Sequence, residues 1–256
     1  MTRSEFSDAF TTLLNSYNTQ AQFGEQASRQ EVVLDEYEKS VLLTQAQDIV
    51  VKSYFDRTLN TQGQGFDDTP RRQVDFSSLI KIAEKSPASG DTTTFDSRGI
   101  IFEMPKASTG TTDVLFILNE KMVVGTKSYV IVPISYREYD REMSKPFAQP
   151  LKKQAWRLFQ NMATGFDVNS EIIPKESLGI DKTTPGLKYR LRYVRRPVPI
   201  VLEALPDGLS IEGVSTASDC ELNPILHIDI LNKAVEIAIA SRGYNVQRVR
   251  EANERA

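Results

Sequence analysis

The sequence predicts an α+β protein: an N-terminal helical hairpin, a mostly antiparallel β-sheet or sandwich with one inserted helix, and a long apolar C-terminal helix. Three observations predict it. Residues 187–193 alternate, with Leu187, Tyr189, Leu191 and Tyr193 on one side and Lys188, Arg190 and Arg192 on the other. A period of two belongs to a strand with one buried and one wet face. The N-terminal sixty residues instead space their apolar side chains at helical intervals. Residues 223–243 open with Asn223 as a cap and Pro224 at the first helical position, and Gly243 supplies the stop.

In the first helix the apolar stripe is Phe6, Phe10, Leu13, Leu14 and Tyr17, and Thr2 with Glu5 has the spacing of a capping box. Ser28 and Glu31 repeat that spacing and open a second helix running to about Leu59. Leu34, Tyr37, Val41, Leu42, Ala46, Ile49 and Val50 form its stripe, while Glu36, Glu38, Lys39, Gln45 and Asp48 stay wet. Two such neighbours predict an antiparallel hairpin over 1–60. Residues 61–97 read as a loop-rich connector in which VDFSSLIKIAEK supplies one short helix.

From residue 98 the period changes. GIIFEM, VLFILNEKMVV and SYVIVPI are β-rich, and Asn119, Glu120 and Lys121 read as a hairpin turn between two halves of the second run. Ser135 and Glu138 form a third capping-box pair, so residues 135–144 are expected to be a helix that ends at Lys145 and Pro146. Residues 151–162 fit helix or strand, and 163–186 read as loop around a short EIIP segment. With the strand at 187–193 and a further LSIEG strand, they complete a mostly antiparallel β region over 98–222. In the last helix only Asp229, Asn232, Lys233 and Glu236 form a polar stripe, so it is expected to be covered on most sides. Residues 223–256 are then helix plus charged tail, and the four segments form one compact unit.

The totals exclude several classes. A net charge of −3 and a pI near 5.5 argue against a dedicated nucleic-acid binder. Cys220 and His227 are each the single residue of their kind, so neither an internal disulfide nor a Cys/His zinc site can form within one chain. No apolar run reaches the length of a membrane span and no signal-peptide core opens the chain, so a soluble protein made in the cytoplasm is expected, with no membrane partner.

The catalytic candidates are thin. His227 as a general base would need an orienting carboxylate, Glu221 or Asp229, and a nucleophile that no motif provides. Cys220 lies between Asp219 and Glu221, which raise a thiol pKa and make it a poor nucleophile. Asp67 with Asp68, and Asp140 with Glu142, lack the ligand spacing of a calcium loop. The glycine-rich, nucleophile-elbow and zinc-helix motifs are missing. No catalytic, cofactor or metal residue is therefore assigned, and no enzyme is expected. The basic strand is the remaining candidate: Lys188, Arg190 and Arg192 share a face, with Arg195 and Arg196 following. Such a cluster contacts phosphates, or pairs with carboxylates of its own chain or of a neighbouring subunit.

Three blocks carry a resemblance. VVLDEYEKSVLLTQAQDIVVKSYF resembles the N-terminal long helix of a ring protein of crAss-like short-tailed bacteriophages. VPISYREYDREMSKPFAQPLKKQAWRLF is similar to that family's central block, and YRLRYVRRPVPIVLEAL with LSIEGVSTASDCELNPILHIDILNKAVEIA to its C-terminal block. The resemblance implies a structural virion protein at the portal vertex: a ring, expected to be dodecameric, of the tail barrel or head-to-tail connector. Such a ring links portal to tail and surrounds the DNA exit channel. The implied partners are identical copies, the portal protein, other tail-barrel rings and, in passing, genomic double-stranded DNA. Loops at 60–75, 86–97 and 161–186 are then candidate contacts between rings. The rival reading is a non-enzymatic nucleic-acid-binding accessory protein that uses the same basic strand.

Overall fold

The structure is a computed structural model, and it describes residues 1–21, 33–55, 74–89, 94–107, 112–145, 149–161, 168–206 and 208–241. It is a mixed α+β fold, whose contacts divide the chain into two compact units. Met1–Leu79 and Pro197–Ala256 make a helical unit, and Ile80–Arg196 make a sheet unit.

The helical unit contains α1 (Arg3–Ala21), α2 (Glu36–Phe55) and α4 (Pro224–Ser241). Its core is the spacing-four ladder Phe6, Phe10 and Leu14 of α1, with Leu43, Val50 and Val51 of α2 and Leu226, Ile230, Leu231, Ala234 and Val235 of α4, all buried. The Thr2–Glu5 capping box is present: Thr2 N donates to Glu5 Oε2 at 2.8 Å and Glu5 N to Thr2 Oγ1 at 3.3 Å. Asn223 caps α4, its Oδ1 accepting from Ile225 N at 3.1 Å. Ser28 and Glu31 lie outside the described residues. Residues 33–35 are not helical, so α2 starts at Glu36 rather than at Ser28; its cap is Asp35, whose backbone N donates to Glu38 Oε2 at 3.3 Å.

Three expectations for this unit change. The first two helices are not an antiparallel hairpin, which would set the start of one beside the end of the other. Their starts meet instead: Ser7 Oγ donates to Glu36 Oε1 at 2.8 Å, and Lys39 Nζ donates to both, at 3.0 and 2.7 Å. Each packs chiefly on α4. Second, α2 is rotated from the expected stripe. It buries Lys39, Ser40, Leu43, Thr44 and Gln47 and leaves Ile49 exposed. The reason is a segment at 200–202 that runs along it and needs backbone partners: Ser40 Oγ accepts from Leu202 N at 3.0 Å and Thr44 Oγ1 from Ile200 N at 3.1 Å. Third, α4 is not covered nearly all round, since Ile225 and Ile228 remain 54% and 49% exposed. No helix among the described residues is long and apolar enough to cross a membrane.

The sheet unit holds β1 (Ile80–Lys85), β2 (Ile100–Glu103), β3 (Val114–Val124), β4 (Lys127–Pro133), α3 (Tyr136–Met143), β5 (Gln154–Asn161), β6 (Val168–Pro174) and β7 (Leu187–Arg195). They form one seven-stranded sheet in the order β1-β7-β3-β4-β5-β6-β2. Every pairing is antiparallel except β4 with β5, whose parallel crossover carries α3. The full Ser135–Glu138 capping box starts that helix. Five strand spacings separate β7 from β2, about 24 Å in a flat sheet. Yet the Phe102 and Tyr189 ring centroids are 5.4 Å apart. The sheet is therefore strongly curled around a core of Phe102, Met104, Met122, Ile172, Tyr189 and Leu191. On its outer side α3 covers Trp156, Leu158 and Ile173 with Tyr139.

The short helix expected over VDFSSLIKIAEK is corrected: among the described residues only 74–75 are helical, residues 76–79 turn, and residues 80–85 are β1, paired along its whole length with β7. Phe76, wedged against Tyr54 and Phe55 with centroids 5.2 Å away, holds the turn. The turn expected at Asn119, Glu120 and Lys121 is also corrected. β3 runs straight through, with register irregularities at 114–116 and 117–119, and the hairpin turn sits at Gly125 and Thr126. Gly125 has φ 57°, a conformation that costs glycine nothing. LSIEG forms no strand, only a tight bridge of Ile211 to Val214.

Candidate functional site

The basic strand is β7, a central strand, and its register builds a surface. On the outer face Glu84, Arg190, Lys121 and Val130 form one row across β1, β7, β3 and β4. The adjacent row is Ile82, Arg192 and Asn119, and Lys188 lies opposite Val123. Residues directly opposite share a face, so this is one patch of four cations, three aliphatic side chains, an amide and a carboxylate. Ile82 is 70% exposed and Val130 56%. Glu84 ties down part of the charge: Lys188 Nζ reaches it at 3.3 Å, and Arg190 donates from Nε at 2.7 Å and from Nη2. These hydrogen bonds, first from Arg190 and then from Lys188, pull the Glu84 pKa down.

Of the five predicted cluster residues, the fold thus brings Lys188, Arg190 and Arg192 together. Arg195 and Arg196 lie beyond, at the end of β7, where Arg195 Nη1 donates to the Arg196 carbonyl at 3.1 Å. Sequence reasoning missed Lys121 and Ile82, because the first was assigned to a turn and the second to a helix. The signal for Ile82 was present in IKIAEK, where Ile80 and Ile82 alternate with Lys81.

Two polar clusters hold the sheet in shape. Inside the curl, Glu120 of β3 lies 3.2 Å from Arg157 Nε of β5 and accepts from Tyr189 Oη of β7 at 2.8 Å. Burial pushes the Glu120 pKa up against the pull of Arg157. On the outer side Glu171 accepts from the backbone N of Phe95 and Asp96 at 3.0 and 2.9 Å. Asp96 in turn takes a fork from Arg98 and the Tyr139 hydroxyl. Burial opposes ionisation of Asp96, but the hydrogen bonds from Arg98 and Tyr139 outweigh it and hold its pKa at about 2. Burial raises the Tyr139 pKa to about 12 and that of Glu171 upward as well.

A depressed carboxyl stabilises the fold above its ordinary pKa of 3.8 and loses that contribution as pH falls toward 2. Asp96 should therefore contribute on the order of 1–2 kcal/mol that vanishes in this window. Glu171, shifted the other way, already prefers its proton there and offsets none of the loss below pH 4. Melting temperatures taken from pH 5 to 2 should fall more steeply for the wild type than for Asp96→Asn. Parallel curves would dismiss the role given to Asp96.

The remaining candidates are held structurally. His227 is buried, with Nδ1 2.7 Å from the Met1 amine and Nε2 3.0 Å from the Leu222 carbonyl, rather than beside Glu221 or Asp229. Burial lowers its pKa. Burial, more than the adjacent acids, lifts the Cys220 thiol to about 11. Glu142 pairs with Lys145 at 2.6 Å, and Asp67 and Asp68 lie outside the described residues. Among the described residues no His, Cys, Asp and Glu group could hold a metal ion. A cleft of about 560 Å³ is lined by Arg98, Gly99, Lys175, Asp181 and Thr183, and the Thr183 hydroxyl donates to Asp181 Oδ1 at 2.7 Å within a turn.

What the sheet displays is an exposed face of cations and aliphatic side chains. Residues 1–250 match the description phage tail ring protein 3/4, and the chain belongs to that family of crAss-like phage ring proteins. It is similar to ring protein 4/5 of Bacteroides phage crAss001, at 39% identity over the whole of both chains. It is also similar to ring protein 3 of the same phage, at 35% identity over 94% of this chain and 96% of that one. Its coarse role follows: a structural ring protein of a phage tail.

Proposed function

We propose that identical copies of this chain close into a ring, twelve-fold in symmetry, within the tail barrel that connects portal to tail and surrounds the DNA exit channel. The observation that carries this is the similarity to two ring proteins of one phage, which extends over 94% or more of each chain compared. Rings of this kind use heterologous contacts that close by rotation. Their interfaces commonly bury more than about 2,000 Å² in total, which calls for surface of the kind exposed at Ile82, Val130, Ile225 and Ile228. Portal protein and neighbouring tail-barrel rings are the proposed partners, the virion is the site of action, and synthesis takes place in the host cytoplasm. Residues 74–75, 86–89, 94–97, 161 and 168–186 are the described parts of the loops 60–75, 86–97 and 161–186 proposed as contacts between rings; the rest of those loops lie outside the described residues.

Electron microscopy of purified protein, alone and with portal and neighbouring ring proteins, should show closed rings of twelve. Failure to see a ring in any mixture would end this reading. The rival, a nucleic-acid-binding accessory protein, is disfavoured by the net charge of −3, which dilutes the attraction of the basic strand for phosphate.

A further inference from the structure

The near-neutral total conceals a strong internal contrast. The sheet unit holds 19 Lys and Arg against 13 Asp and Glu, a net charge of +6, whereas the helical unit holds 12 against 21, a net charge of −9. The positive side is concentrated where register forces it. Lys121 and Arg190 sit directly opposite one another on β3 and β7, an arrangement that costs stability unless an anion answers it. Glu84 is the carboxylate that register sets opposite Arg190, and it is shared with Lys188. Among the described residues Arg192 has no carboxylate partner, and the side chains of Lys188 and Arg190 are still 53% and 56% exposed. Exposed Ile82 on β1, opposite Arg192, and exposed Val130 on β4, opposite Lys121, flank the cations of β7 and β3 on either side. Phosphate backbones make no use of such aliphatic groups, whereas a protein interface buries them beside its polar contacts.

We propose that this sheet face docks on the carboxylate-rich helical unit of a second copy, with Lys121, Arg190 and Arg192 making ion pairs flanked by apolar contacts at Ile82 and Val130. The docking rests on the ring reading and specifies its contact. A basic face meeting a differently built acidic unit is heterologous, so each copy offers one of each and the chain of contacts can close. Electrostatic pairing of this kind steers association and fixes register, and salt screens it.

The test uses the full chain, with mass photometry and electron microscopy across a salt series from about 0.05 to about 0.5 M, where screening changes most. Rings should weaken as salt rises. Arg190→Glu with Arg192→Glu should raise the protein concentration needed for assembly at least about tenfold, the Gln pair should do so less, and the Lys pair should stay near wild type. Unchanged melting temperatures would show that the variants fold. Ile82→Ser should weaken rings without altering their salt dependence. Rings indifferent to salt and to the Glu pair overturn the docking and leave the ring reading standing. A wild-type chain that stays single with every neighbour supplied removes both. Tight, salt-steep binding of a double-stranded DNA oligonucleotide that the Glu pair abolishes, with assembly unchanged, assigns the face to DNA and overturns the docking.

Discussion

Replacing Glu120 with alanine is expected to destabilise the sheet unit by about 3–5 kcal/mol, because Arg157 would be left buried without its counter-charge. The Arg157 side chain is 8% exposed and Glu120 is 7% exposed, so water does not take over the role. The guanidinium is already stretched: among the described residues its Nε and Nη1 have no hydrogen-bond partner, although Nε is 3.2 Å from Glu120 and the group stacks 4.0 Å from the Phe159 ring centre. Denaturation in urea reads the loss directly. Removing both partners together, as Glu120→Met with Arg157→Met, should recover much of it, since an apolar pair leaves no charge stranded. A single Glu120→Ala that costs under about 1 kcal/mol would show the pair to be hydrated and unimportant to the curl.

The second large effect is expected at Gly99. A methyl group there would stand 1.8 Å from Glu171 Oε1 and 2.9 Å from the Asp96 carbonyl oxygen. Gly99→Ala must push the Glu171 carboxylate aside, and the backbone N–H groups of Phe95 and Asp96 then lose their acceptor. A loss of about 2–4 kcal/mol follows from the forced shift and the unmade bonds. Because Glu171→Ala removes what the methyl strikes, the double variant should cost clearly less than the two single losses added. Simple additivity would mean that the clash is relieved elsewhere.

The same clusters explain what the sequence revealed and what it hid. The alternation of β7 and the capping pairs at Thr2 and Ser135 were legible because their partners lie within a few residues. The run Asn119, Glu120, Lys121 looks like a turn since three polar residues in succession rarely cross a core. Glu120 can do so because Tyr189 and Arg157, 69 residues and more than 30 residues away, satisfy it. Buried Ser40 and Thr44 misled the reading of α2 for a similar reason, as their partners are backbone groups about 160 residues further on. The candidate surface was half legible. Arg190 and Arg192 show their common face within one strand, but Lys121, Val130, Ile82 and Glu84 join them only through cross-strand register.

Because the helical unit draws on both Met1–Leu79 and Pro197–Ala256, the ribosome finishes the intervening sheet before α4 exists. During translation Phe6, Phe10 and Leu43 must wait, uncovered, for a helix made nearly last. A prematurely terminated product would therefore carry a complete sheet and a greasy, unfinished remainder. Such a chain is readily recognised by proteases and unfit to occupy a place among full-length neighbours.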